Sequence, residues 1–200
     1  MGQRLAVIIE HEGNPIAAVY YHWSAYTFSA LNIAYDLIDA WDSCSDRDPW
    51  QNKLLNVIHF IRDNRGGLDK AVNGREFKAA QEMYPGEVFP MEGYSRNNGL
   101  IALTPEGISS IISAAEGEII LNMDDREIFN TVVNVWESKE ELMEAYDGYS
   151  EAEIDNAVSI DLDLSHMRFM DLPKVMDIIL NYPEEHLFVH EGLIFETIQW

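Results

Sequence analysis

The sequence predicts a single α+β domain, spanning residues 1–200, with a mainly antiparallel sheet and packed helices. Three observations lead there. Short runs rich in Val, Ile, Tyr and Phe recur at strand length, bounded by Gly, Pro, Asn and Asp. Other segments place apolar residues at helical spacing behind N-cap signals. The two kinds of segment do not alternate in a sustained β-α-β order, which argues against a doubly wound parallel sheet. Size and composition agree, since 200 residues with 47% hydrophobic and 11% aromatic content suit one packed core.

The first half opens on a hairpin. Leu5–Glu10 is β-branched and apolar, His11 to Pro15 is turn chemistry, and Ile16–Trp23 reads as the returning strand. A helix follows, with Phe28, Leu31, Tyr35 and Ile38 on one face and Ala34, Leu37 and Trp41 widening it. Asp48-Pro49-Trp50-Gln51 supplies an N-cap, a proline at the first helical position and a glutamine closing a capping box. The next helix then carries Trp50, Leu54, Val57, Ile58 and Ile61, and Gly66-Gly67 ends it. A shorter helical piece spans Leu68 to Met83 and stops at Tyr84-Pro85-Gly86.

In the second half, Gly99–Leu103 is a short buried strand. Thr104-Pro105 caps a helix with Ile108, Ile111, Ile112 and Ala115 inward. Glu118–Met123 and Glu127–Trp136 form a hairpin through Asp124-Asp125-Arg126. Ser138 with Glu141 makes a capping box for a helix reaching Tyr149. Ala157–Leu164 alternates as a strand, Leu172–Asn181 is a helix, and Leu187–Ile198 reads as a closing hairpin.

Charge is the outstanding number. The chain holds 35 acidic and 13 basic residues, a net of -22. Residues 101–200 account for most of it, with 22 acidic and 4 basic residues and a net of -18. Such a chain repels nucleic acid and anionic lipid, so neither is an expected partner. No apolar run approaches the length of a membrane span, and no signal peptide opens the sequence. One cysteine, Cys44, excludes an internal disulfide and suits a reducing cytoplasm. Its neighbours Asp42, Asp46 and Asp48 disfavour a thiolate, so it is no nucleophile candidate. Gly-x-Ser-x-Gly and the phosphate-binding glycine patterns are absent, and no catalytic residue or cofactor is assigned.

The sharpest pattern lies after Ser138. Glu137, Glu140, Glu141, Glu144, Asp147 and Glu151 fall within roughly a third of a helical turn, opposite Leu142, Met143, Tyr146 and Tyr149. A solvated helix face gives this pattern too, but the surrounding charge marks it as an acidic surface for a basic partner groove. A second candidate site combines Tyr20, His22 and Trp23 with Arg4 or with Arg62 and Arg65 of the cluster that continues through Lys70, Arg75 and Lys78. It offers aromatic, acid–base and cationic groups for a nucleotide or other small ligand, as a binding protein or a hydrolase. Other signals are weaker. His186 and His190 sit at i and i+4, and Asp161 with Asp163 would share a strand face, but neither pair completes a metal site.

Met1-Gly2-Gln3-Arg4 before a hairpin ending Tyr20-Tyr21-His22-Trp23 resembles uncharacterised small proteins of phages and bacterial mobile elements. Asn98 to Ala102 and Gly117 to Ile120 are similar to later parts of such proteins. That group brings no catalytic role. The resemblance implies a cytoplasmic accessory protein, phage-encoded, that binds and blocks a host or defence factor. Combined with the charge, the expected function is non-enzymatic: an inhibitor engaging a basic, nucleic-acid-binding surface of that factor by imitating phosphates.

Overall fold

The computed structural model describes residues 4–22, 24–45, 47–63, 99–132, 141, 158–160, 162–181 and 187–189. The fold is α+β. Strands β1 (Leu5–His11) and β2 (Asn14–Tyr21) form the predicted hairpin. Helices α1 (Thr27–Asp42) and α2 (Trp50–Asp63) follow, then β3 (Gly99–Ala102) and α3 (Pro105–Ala114). Strands β4 (Gly117–Asn122) and β5 (Glu127–Asn130) make the second hairpin. After β6 (Val158–Ile160) come β7 (His166–Arg168), a 3-10 turn at Phe169–Asp171, α4 (Leu172–Asn181) and β8 (Leu187–Val189).

Six strands build one sheet in the order β3-β2-β1-β4-β5-β7, antiparallel except where β1 meets β4 in parallel. Both faces are covered, because β1 is apolar at every position from Leu5 to Ile9. Leu5, Val7 and Ile9 point to the side where α1, α2 and α4 pack, joined there by Val19, Ile101, Ile119, Leu121 and Ile128. Ala6 points the other way, with Ala18, Leu100 and Ala102, beneath Ile108 and Ile111 of α3. A second, two-stranded sheet pairs β6 with β8 in parallel.

Turn chemistry explains the hairpins. Glu12 and Gly13 both have positive φ, 51° and 69°, the requirement of a type I′ turn that matches strand twist. Glu12 tolerates this because its N–H donates to Asp124 Oδ2 and its carbonyl accepts from Asn14 Nδ2. In the β4–β5 loop, Asn122 Oδ1 accepts from the N–H groups of Asp124 and Asp125. Asp124 and Asp125 are thus turn residues, as the sequence suggests.

Several boundaries differ from expectation. Of the expected α1 face, Phe28, Leu31 and Ile38 are buried with Ala34, Leu37 and Trp41, but Tyr35 lies at its margin and is 38% exposed. The Pro49 carbonyl accepts from Asn52 and Lys53, while the Asp48 carboxylate turns back to the Ser45 N–H and does not cap α2. β5 ends at Asn130, whose buried amide bonds Val132 and the Leu164 carbonyl and turns the chain out of the ladder. The expected strand Ala157–Leu164 stops at Ile160. Asp163 Oδ1 accepts from the N–H and hydroxyl of Ser165 and from the His166 N–H, which makes a turn at that point. Asp163 therefore shares no strand face with Asp161, which lies outside the described residues. β8 joins β6 in parallel and forms no hairpin over its described length, because β7 and α4 carry the chain back to the same end. The expected helix over Leu68 to Met83 lies outside the described residues, as does all of Ser138 to Tyr149 except Glu141.

Gly117 is closely packed. A Cβ there would overlap Val132 Cγ2 and lie 3.3 Å from Ala25 Cβ. Gly117→Ala should lower stability by about 1–3 kcal/mol, read as a reduced denaturant midpoint at unchanged slope. An unchanged midpoint would show that Val132 moves aside freely.

Candidate functional site

One end of the sheet gathers part of the second candidate site. The β1–β2 register, with Leu5 opposite Tyr21 and Ala6 opposite Tyr20, brings Arg4 across from His22. Tyr20 Oη lies 2.8 Å from His22 Nδ1, so two residues on one side of the strand share a hydrogen bond. Tyr20 also packs against the α3 cluster, while Tyr21 is buried in the main core. Arg4 is tied to Glu116, just beyond α3: its N–H donates to Glu116 Oε2 at 3.0 Å and its Nη2 to Oε1 at 3.1 Å. Arg4 Nε is buried without a hydrogen-bond partner among the described residues.

The electrostatics are compensated. Burial, reinforced by the Arg4 charge and opposed by Glu116, lowers the His22 pKa from its usual value, which favours a neutral imidazole. Glu116 is held below the usual carboxylate range, first by the Arg4 backbone N–H and then by its guanidinium. The Arg4 charge is thereby spent on a neighbour, which weakens its pull on an incoming anion.

The other predicted residues distribute differently. Arg62 belongs to α2 and is remote in the chain from the Arg4 end, and its side chain is not described. Trp23 and Arg65 lie outside the described residues, as do His186 and His190. Of the acidic face, Glu137, Glu140, Glu144, Asp147 and Glu151 also lie outside them; Glu141 is helical and exposed. Among the described residues, no group of three or more His, Cys, Asp or Glu is placed to hold a metal ion, and no helix is long and apolar enough to cross a membrane.

A second polar cluster, at β7, was not anticipated from the sequence. Its strand carries His166 and Arg168 on one side, beside Glu127 of β5. His166 Nε2 lies 3.3 Å from Glu127 Oε2, and the imidazole stacks on Phe129 with ring centres 4.5 Å apart. Asp171, buried in the 3-10 turn, accepts from Arg168 Nε at 2.8 Å and Lys174 Nζ at 3.0 Å. Those two hydrogen bonds, Arg168 first, hold its carboxyl below the usual range. Glu127, Leu162, Asp163, His166, Met167, Arg168 and Asp171 line a recess of about 240 Å³. That is smaller than the ~300–1,000 Å³ of ordinary ligand pockets, and it suits a side chain better than a whole ligand. The Arg168–Asp171–Lys174 spacing of three was a readable signal; the meeting of Glu127 with His166 was not, since it depends on strand register.

No protein-family model, curated protein or solved structure matches this chain. The site is argued from its own chemistry.

Two outcomes follow from the geometry. His22 should titrate below 6.5 by NMR, and Arg4→Gln should move its midpoint upward, since the opposing cation is gone. The sign for stability is set by the lowered pKa: the unfolded chain binds the extra proton first, so stability rises with pH up to about 6.5 and is flat above. A midpoint unmoved by Arg4→Gln would separate the two residues electrically. Asp171→Asn should lower the thermal midpoint at pH 7, and this deficit should shrink as pH falls through the native Asp171 pKa, below 3.8. A deficit independent of pH would mean that packing, not charge, is lost.

Proposed function

We propose that this protein is a non-catalytic binding protein whose acidic surface occupies a basic surface of a partner protein. One observation carries the reading: the described cations of the acidic half are held by carboxylates of this chain. Arg126 binds Asp42 through both terminal nitrogens and lies over Phe169, and Arg168 and Lys174 share Asp171. These are three of the four basic residues in a half with net charge -18; the fourth, Lys139, lies outside the described residues. Among the described residues of that half, Glu106, Asp124, Asp125, Glu141 and Asp177 are exposed, and the excess of acidic over basic residues supports an outward negative field.

Self-repulsion at this charge destabilises the compact state, and solubility alone needs less. A charge field of one sign speeds encounter with an oppositely charged surface and sets specificity, while apolar anchors supply affinity. The N-terminal resemblance to phage and mobile-element proteins favours a host defence factor as the target, and phosphate imitation as the mode.

The rival reading is a small anionic ligand held by Arg4, Tyr20 and His22. It draws support from their convergence and from the unpartnered Arg4 Nε. One experiment separates the two. Heparin-binding and other basic proteins should be retained on the immobilised chain at low salt and released steeply as salt rises. Glu140→Lys, Glu141→Lys and Glu144→Lys together should reduce that retention at least tenfold. Salt-insensitive retention, or no effect of the triple reversal, would reduce the acidic face to a solvated surface. A clear thermal shift with a nucleotide, lost in Arg4→Gln, would favour the rival.

A further inference from the structure

Strands β5 and β7 set one pair of opposite charges face to face, and that pair does not close. The Asn130 N–H donates to the Ser165 carbonyl and the Phe169 N–H to the Arg126 carbonyl, both at 2.8 Å. With Ile128 opposite Met167, the pairs lying between these bonds are Phe129–His166 and Glu127–Arg168. Such pairs bring side chains closest across an antiparallel ladder, and opposite charges there ordinarily meet. Phe129 and His166 do stack. Glu127 and Arg168 turn apart instead. Glu127 Oε2 goes to His166 Nε2, and Arg168 Nε donates to Asp171 Oδ2.

Both residues of the divided pair line the recess. Each keeps an unused end among the described residues. Arg168 spends only Nε, which leaves the two terminal nitrogens of its fork, and Glu127 keeps Oε1. Asp163, also in the lining, takes three hydrogen bonds on Oδ1 and none on Oδ2. Leu162 and Met167 make the lining partly apolar. An occupant must therefore carry an anion and a cation side by side, with an apolar group attached. A free α-amino acid has this arrangement. It is little larger than the side chain it bears, which suits a recess of about 240 Å³. Its zwitterion has no net charge, so a chain at -22 does not repel it as it would a simple anion.

We propose that the recess between β5 and β7 binds a free apolar α-amino acid as its zwitterion. The ligand carboxylate takes the Arg168 fork, the ammonium faces Glu127 and Asp163, and the side chain covers Leu162 and Met167. The ligand thus completes the divided Glu127–Arg168 pair without displacing Asp171 or His166. This site is separate from the acidic surface and does not depend on it.

Leucine is the probe, titrated against the full chain and followed by NMR at the Met167 methyl and the Glu127 and Arg168 amides. These signals should shift saturably, with a Kd of about 1 mM or tighter. Leucinamide lacks the carboxylate and N-acetylleucine lacks the ammonium, so each should bind about tenfold more weakly or worse. That series is read on the unaltered chain and holds however any variant folds. Arg168→Gln and Glu127→Gln should each weaken leucine about tenfold, while Glu127→Gln leaves N-acetylleucine unchanged. Absence of saturable shifts with leucine would overturn the proposal, and so would equal binding of leucine and either blocked form.

Discussion

Everything in this fold depends on β1 being apolar on both sides. Leu5, Ala6, Val7, Ile8 and Ile9 are all at most 4% exposed, and a strand with no polar face cannot sit at a sheet surface open to water. Burying its Leu, Val and Ile side chains contributes about 1.5–3 kcal/mol each, a large share of the stability of any domain. Two consequences follow. The sheet must continue on both edges of β1, which β2 and β4 provide, and it must be covered on both faces. The parallel pairing with β4 joins the second half to the first at the centre of the sheet, and the β2–β3 pairing joins them at its edge.

Polar interactions then fix the ends of the sheet. Arg4 with Glu116, His11 with Asp124 and Arg126 with Asp42 each join residues far apart in the chain. Exposed pairs of this kind contribute little to stability singly. Their larger effect is on the surface they leave. Each cation held by an internal carboxylate no longer offsets the field of the others, and the outward charge becomes more uniformly negative. The same local chemistry that secures the turns thus shapes what the protein presents to a partner.

Local signals were legible where one short segment carried the whole cause. Thr104 caps α3 by accepting from the Gly107 N–H, and Pro105 opens the helix, as the sequence indicates. α4 spans the residues its periodicity marks, and the two antiparallel hairpins form at their turns. Strand alternation indicates that Tyr20 and His22 share a side, and the structure adds the hydrogen bond between them. Expectations failed where a distant partner intervened. β5 ends at Asn130 where its side-chain amide bonds Val132 and the distant Leu164 carbonyl, and Asp163 makes a turn because Ser165 and His166 supply donors to it.

The charge that first set this chain apart, net -22, is a property of sequence, because ionisation at neutral pH needs no fold to assign its sign. So are the fold class, the Thr104 cap and the apolar periods, each written in local patterns. Tertiary structure alone decided which strands neighbour one another and which cations are spent. It opposed Arg4 to His22, stacked His166 on Phe129 against Glu127, and left the β7 edge beside a recess. Those results depend on register and on contacts between segments far apart in the chain. No local pattern encodes them, because their free energy exists only once the sheet has closed.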